Sequence, residues 1–146
     1  MTKKVWIHIV SSSDSDAEGS DVLAQGVYYL KNGTHYLLYE GLEEESAYQT
    51  TQHRIKFTAD RVEVTKRGAS RARMVFEPGS AHCSEYDTGC GVLLLTFAAD
   101  ELRLSEREDE LRVTMQYRIL FEQLQVSENR MEITVTPYGE IGKEKK

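Results

Sequence analysis

The sequence predicts an all-β fold, an antiparallel up-and-down β-barrel of about ten strands. Apolar and polar residues alternate with a period of two along most of the chain, as expected for strands that bury one face. Short turn signals separate these segments at regular intervals, a rhythm typical of barrels and sandwiches. Closure is favoured because it removes unpaired strand edges, and two prolines in 146 residues are too few to protect them.

The first two strands are predicted on either side of a polar segment. Val5, Ile7 and Ile9 share one face of the first strand. Residues 11–21 are polar and acidic, so they are predicted to form a loop. The second strand is predicted over residues 22–31.

Asn32-Gly33 is the strongest hairpin signal in the chain, because both residues tolerate the positive φ of a type I′ turn. It joins the second strand to a third, predicted over residues 34–42. Tyr36, Leu38 and Glu40 share one face of this strand. Because apolar side chains occupy both of its faces, the sequence alone does not fix which face points inward.

The alternation continues to the end of the chain. Further strands are predicted at residues 49–59, 62–64, 72–76, 81–86, 92–98, 102–104, 111–121 and 130–136. Turns are predicted at residues 43–46, 60–61, 66–70, 78–79, 88–91 and 106–110. At 146 residues the chain has the length of one domain. We therefore expect a single barrel domain over residues 1–146, with a frayed tail at about 140–146.

The composition argues against several kinds of partner. Lys plus Arg is 18 and Asp plus Glu is 24, so the net charge is 18 − 24 = −6. Nucleic acids and anionic membrane surfaces attract basic faces, and this balance favours neither. No apolar stretch reaches membrane-spanning length, and the polar run after Val10 does not fit a signal-peptide cleavage site. We therefore expect a cytoplasmic protein with no nucleic-acid or membrane partner.

An ordered set of short motifs runs along nearly the whole chain: Tyr28-Tyr29, Asn32-Gly33, residues 36–40, Ile55-Lys56, Arg67-Gly68, residues 74–77, residues 86–88, Gly91, Tyr117 and Asn129. This ordered set resembles the YwiB-like family, a group of uncharacterised bacterial proteins. The resemblance implies a calycin-like barrel, similar to lipocalins or fatty-acid-binding proteins, and it implies no activity. The segment Gly89-Cys90-Gly91 departs from the Pro-Tyr-Gly usual in such proteins.

Four polar residues are candidates for a ligand site in the barrel interior. They are Glu40, His53, Tyr86 and Tyr117. His53 and Tyr117 share their strand faces with apolar residues, and Glu40 points inward if the face of Tyr36 and Leu38 does. A buried carboxylate is costly unless it is paired, so such a cluster can orient one ligand. The alternative is that the four side chains satisfy one another or meet water at the barrel mouth.

The sequence offers little for metal or catalytic chemistry. Residues 14–19 begin like a calcium loop, but the twelfth position of that loop is Gln25 instead of glutamate. Cys83 and Cys90 lack the further ligands that zinc requires. Cys90 also lacks an assured base to activate it as a nucleophile. We expect no cofactor and no metal. Enzyme activity is not indicated, because no catalytic constellation is visible in the sequence.

Two functional hypotheses remain open. The first is a binding module whose partly apolar interior takes a small apolar or amphipathic ligand. The second is a filled barrel that acts through protein contacts, with Trp6, Tyr29 and Tyr39 as candidate outward aromatic residues. Formation of a homo-oligomer stays open under both hypotheses.

Overall fold

The computed structural model describes residues 3–14, 16–43, 46–68, 71–87, 91–122 and 124–138. Within them lie ten strands: β1 Lys3–Ser13, β2 Asp16–Lys31, β3 Thr34–Glu43, β4 Ser46–Phe57, β5 Val62–Arg67, β6 Arg71–Phe76, β7 Ala81–Asp87, β8 Val92–Arg107, β9 Glu110–Phe121 and β10 Leu124–Pro137. The predicted tail at residues 140–146 and the predicted turn residues 88–90 lie outside the described residues. Among the described residues, no helix has the length and apolarity needed to cross a membrane.

The ten strands form one closed antiparallel barrel in up-and-down order, which confirms the predicted fold class. Each strand pairs with its neighbour in sequence, and β10 pairs with β1 to complete the ring, as in the pair Ile7 and Val135. Inward positions on these strands carry the apolar residues of the observed alternation. Asn32 and Gly33 both adopt positive φ at the β2–β3 turn, as the hairpin signal predicts.

The core fills one end of the barrel, where β3, β4, β5 and β6 contribute successive rows of apolar side chains. Phe57, Val62 and Phe76 form one such row, each residue registered with the next and almost completely buried. Leu37, Ile55 and Val64 form the adjacent row. These packed rows fill this end of the barrel, and the cavity described below lies toward the other end.

The predicted loop at residues 11–21 is wrong, because β1 and β2 continue as a paired hairpin through this polar segment. Val10 registers with Asp21 and Ser11 with Ser20, and the register then shifts before Ser13. Backbone hydrogen bonds do not require apolar side chains, so a polar segment can extend a ladder that the core has already set. Gly19 has φ of 68° at this irregularity.

The predicted strands at 92–98 and 102–104 are one strand, β8. Asp100 is the extra residue of a bulge, since Ala99 registers with Tyr117 and Glu101 with Gln116. The bulge reverses the alternation, so the apolar pattern of β8 breaks although the strand does not. Similarly, β10 begins at Leu124, six residues earlier than the predicted strand, because its first part is largely polar.

Strands β2 and β3 diverge after a short paired stretch. Among the described residues, their register runs from the hairpin as far as Gly26 and Tyr39. Beyond this point residues 20–25 of β2 remain registered with β1, and residues 40–43 of β3 with β4. The barrel wall therefore opens laterally between these two strands.

Candidate ligand-binding cavity

The barrel encloses a cavity of about 900 Å³ beside the packed core. All ten strands contribute side chains to its lining, and two opposite walls carry much of the apolar part. One wall carries Ile55, Val64 and Met74, and the other carries Phe97 and Ile119. Most of its lining is apolar, as in small-molecule pockets generally.

A row of polar side chains crosses the wall that carries Ile55, Val64 and Met74. It lies at the next inward position of these strands, nearer to the open end of the barrel. Tyr39 registers with His53, and His53 with Lys66. Lys66 registers with Ala72, which in turn registers with Tyr86. We call Tyr39, His53, Lys66 and Tyr86 the polar row. The four side chains share the inward face because registered partners in a sheet project to the same side.

Tyr39 and His53 form the first half of the polar row. Their rings are stacked, with centroids 4.4 Å apart and an angle of 2° between the planes. Burial raises the pKa of Tyr39 to about 12, so its hydroxyl stays protonated in the folded protein at physiological pH. The pair presents a neutral phenol beside an imidazole ring.

Lys66 and Tyr86 form the second half of the polar row. Lys66 Nζ donates a hydrogen bond of 3.4 Å to the Tyr86 hydroxyl and lies 5.6 Å from the centroid of the Tyr86 ring. Both contacts hold the ammonium group of Lys66 beside the Tyr86 ring. Lys66 is half-buried, so its charge is partly withdrawn from water.

Tyr117 lines the same cavity from the other side of the barrel. Its ring packs edge-on against Phe76, with centroids 4.7 Å apart, and lies 6.4 Å from the ring of Phe97. Burial raises its pKa to about 12. The cavity thus holds Tyr117 as a deep, mostly buried phenol, separate from the polar row.

Glu40 does not point into the barrel, which corrects the conditional expectation for the face of Tyr36 and Leu38. The inward face of β3 carries His35, Leu37 and Tyr39 instead. Glu40 is exposed and borders the cavity only at its rim. Of the four predicted site residues, the structure therefore places His53 and Tyr86 in one inward row with Lys66 and Ala72 between them, Tyr117 on the opposite wall, and Glu40 at the border of the cavity on the outer face.

Sequence reasoning missed Lys66 and Tyr39. Lys66 falls in the predicted turn at residues 66–70, whereas β5 extends through Arg67. Extending the alternation of Val62 and Val64 by one step would have placed Lys66 on the inward face. Tyr39 was a candidate outward aromatic residue, and no signal within its own strand decides between the two faces.

The cavity extends to the lateral gap between β2 and β3. Trp6, Gln25 and Glu40 border the cavity there although they lie on the outer face of their strands. The Trp6 ring packs against Tyr138 at 5.0 Å, and its indole N–H is buried with no hydrogen-bond partner among the described residues. The cavity therefore reaches the outer surface between these strands.

The cysteines lie away from this cavity or outside the described residues. Cys83 is exposed on β7, on the face opposite that of Tyr86. Cys90 lies outside the described residues. Among the described side chains, no group of three His, Cys, Asp or Glu residues is placed to hold a metal ion.

Comparison with protein families gives a match over most of the chain. Residues 7–133 match the family described as "Domain of unknown function (DUF1934)". The chain belongs to the DUF1934 family. No curated protein matches the chain.

A solved structure supports the fold of this DUF1934 chain. The crystal structure of the YwiB protein from Bacillus subtilis aligns with a TM-score of 0.80 and 19% sequence identity, covering 94% of this chain and 93% of that one. Together with the family match, it confirms the resemblance to the YwiB-like family. The matched residues 7–133 include every member of the polar row and Tyr117. The family description assigns no function, so the function has to be argued from the cavity.

Proposed function

We propose that this protein is a small-ligand binding module of calycin-like architecture, located in the cytoplasm. The ligand is amphipathic, with an apolar part against the cavity walls and a polar part at the polar row. The observation that carries the proposal is the cavity of about 900 Å³, which combines apolar walls with one row of polar side chains. Its volume lies within the usual range of roughly 300–1,000 Å³ for ligand pockets.

The size of the barrel supports this proposal. A barrel of about eight strands has an interior that side chains can just fill, and the interior widens as strands are added. Ten strands surround this one, so the packed core occupies one end and leaves space at the other. Protein interiors are normally close-packed, so a cavity of this volume within a barrel supports the binding of a ligand there.

A cavity-filling substitution tests the proposal. Ala24 lies on the wall of the cavity at the lateral gap, so the ring of Ala24→Phe should occupy part of the ligand space. The neutral dye N-phenyl-1-naphthylamine fluoresces when it enters an apolar site, and we expect wild-type protein to bind it in a saturable way. We expect A24F to weaken dye binding at least about tenfold.

Ser105→Phe is the matched control, because it adds the same ring at an exposed position of β8 away from the cavity. Equal dye binding by wild type, A24F and S105F would contradict a ligand site in the barrel. Native mass spectrometry of protein purified from its own host is the complementary measurement. A stoichiometric bound compound, released on denaturation, would identify the ligand.

Exposed apolar side chains favour a second candidate function, protein–protein interaction through the open end. Leu94, Phe121, Leu124 and Val126 are between 39% and 73% exposed. Leu124 registers with Phe121, which registers with Leu95 on β8, so apolar residues follow one another across three strands. A multiple of the monomer mass in the same native mass spectrum, lost in Leu124→Ser, would support this function.

A further inference from the structure

We propose that the ligand carries an anionic head group, which binds at Lys66, and an unbranched aliphatic chain that extends along the apolar walls. This inference rests on the proposed binding function and specifies the chemistry of its ligand. The observation behind it is an ammonium group on the inward face of a mostly apolar cavity. A charge in such a position is costly unless an opposite charge or hydrogen bonds compensate it.

Lys66 has no carboxylate partner among the described residues. Its described contacts are the hydroxyl and ring of Tyr86, which are neutral groups. The residues registered with it on either side are His53 and Ala72. By contrast, Lys56 on the outer face of the same sheet lies 3.9 Å from the Glu63 carboxylate.

The acidic groups nearest to this part of the barrel belong to its outer face or rim. Glu40 is exposed at the lateral gap and is the one carboxylate among the described residues that border the cavity. Asp87 follows Tyr86 on β7 and registers with Arg71, on the opposite side of the sheet from Lys66. Among the described residues, the inward face at Lys66 therefore carries a positive charge, within a chain of net charge −6.

The hydroxyl group of Tyr86 completes a head-group site. A bound carboxylate or phosphate can accept hydrogen bonds from both the ammonium of Lys66 and this phenol. Charge-assisted bonds of this kind are stronger than those between neutral groups. The contact between the two side chains already holds both donors on one side of the cavity.

The apolar rows next to the polar row accommodate the chain of the ligand. Ile55, Val64 and Met74 follow directly toward the core, and Ile119 and Met131 lie on the opposite wall. Because apolar side chains lie on both walls, an unbranched chain that begins at Lys66 can contact both of them. Each methylene buried in this way should tighten binding about fourfold.

Displacement of bound N-phenyl-1-naphthylamine by single-chain amphiphiles tests the inference. Tridecanoate and dodecyl phosphate carry an anionic head, whereas dodecanol and dodecylamine carry a neutral and a cationic head, and all four have the same dodecyl chain. At pH 8 we expect at least one of the anions to displace the dye at about tenfold lower concentration than dodecanol. Dodecylamine should be the weakest competitor. The stronger of the two anions identifies the head group as carboxylate or phosphate.

Substitution of Lys66 assigns the effect to this residue. We expect Lys66→Met to remove the preference for the anion over dodecanol while dodecanol competes within about twofold of its wild-type concentration. Lys66→Arg keeps the charge and should retain most of the preference. Lys31→Met is the matched control, because it removes one positive charge at an exposed position of the β2–β3 turn.

The outcomes separate the inference from the proposed function. Dye binding with equal displacement by all four amphiphiles would overturn the anionic head group and leave the binding module standing. A preference for the anion that persists in K66M would overturn the assignment to Lys66. Absence of dye binding by wild-type protein would overturn both. The comparison of amphiphiles on wild-type protein remains decisive even if K66M does not fold.

Discussion

Glu63 shows how single side chains stabilise the outer face of the barrel. Its side chain is 8% exposed, and it lies 2.5 Å from Arg73 and 3.9 Å from Lys56. Burial by itself would raise the pKa of the Glu63 carboxyl. The hydrogen bond from Arg73 and the positive charges of Arg73, Lys56 and Arg61 more than offset this, so the pKa lies below its ordinary value of 4.5.

Glu63→Gln should lower the free energy of unfolding at pH 7 by about 1–2 kcal/mol, because it removes the charge that these cations neutralise. A carboxyl with a lowered folded-state pKa stabilises the protein above its unfolded-state pKa, and this stabilisation is lost as the pH falls through the folded-state value. The difference between E63Q and wild type should therefore be present at pH 7 and shrink below pH 4. Urea denaturation across this range measures it.

Glu101→Gln is the control for this prediction. Glu101 pairs with Arg103 at 2.5 Å, but both side chains are more exposed than Glu63. Exposed ion pairs contribute only about 0–1 kcal/mol. If E101Q were as destabilised as E63Q, the burial of Glu63 would not be the cause of its stabilising effect. The same conclusion would follow if the difference between E63Q and wild type grew toward low pH.

Among the secondary-structure elements, β2 and β3 are the pair whose packing shapes the cavity. Gly26 lies at their last registered pair before they diverge. A Cβ atom at Gly26 would lie 2.5 Å from the carbonyl oxygen of Leu38 and 2.6 Å from Cδ1 of Ile7. Only glycine allows the backbones of these strands to approach so closely.

Gly26→Ala should therefore destabilise the protein by about 1–3 kcal/mol, as expected for overpacking against backbone. Gly91→Ala is the matched control, because a Cβ atom there would have open space around it. We expect G91A to change stability by no more than about 1 kcal/mol. Urea denaturation of both variants checks the prediction. Equal stability of G26A and G91A would mean that β2 and β3 can separate further at little cost.

The elements also show how far the sequence predicts this structure. Alternation and turn residues predict the barrel, its strand order and the inward faces of β4 and β9, because one face of each is clearly more apolar. The inward face of β3 is not predicted, since Tyr36 and Leu38 on one face match Leu37 and Tyr39 on the other. Only the register with Ile55 on β4 places Leu37 in the core.

The same reasoning explains which parts of the site were found. His53 was predicted to point inward because Ile55 and Phe57 share its strand face, whereas Tyr86 was proposed although its neighbours at a spacing of two, Ser84 and Thr88, are polar. Lys66 was missed because a lysine next to Arg67-Gly68 is typical of a turn, and its inward position depends on a strand that extends one step further. The bulge at Asp100 was missed because a reversal of alternation looks the same as a strand end.

At the scale of the whole molecule, the closed ring and the lateral gap have opposite effects on a ligand. The ring of ten strands shields the cavity, whereas the gap beyond Gly26 and Tyr39 connects it to the outer surface. Gln25 and Glu40 are the residues that directly follow this last registered pair, one on each strand. Both border the cavity, so the gap is a path by which a ligand can enter and leave.

Closing this path should slow ligand exchange. In a background with Cys83→Ser and Cys90→Ser, the variant Gln25→Cys/Glu40→Cys places two thiols at the point where β2 and β3 diverge. A disulfide there would hold the strands together, since it requires Cα atoms only about 4.4–6.8 Å apart. We expect the oxidised protein to release N-phenyl-1-naphthylamine at least about tenfold more slowly than the reduced protein. Stopped-flow fluorescence measures both rates.

The control is Ser105→Cys/Arg112→Cys, which links two strands that are already registered and should leave the rate unchanged. If the oxidised and reduced forms released dye equally fast, the ligand would have to pass through the open end of the barrel instead.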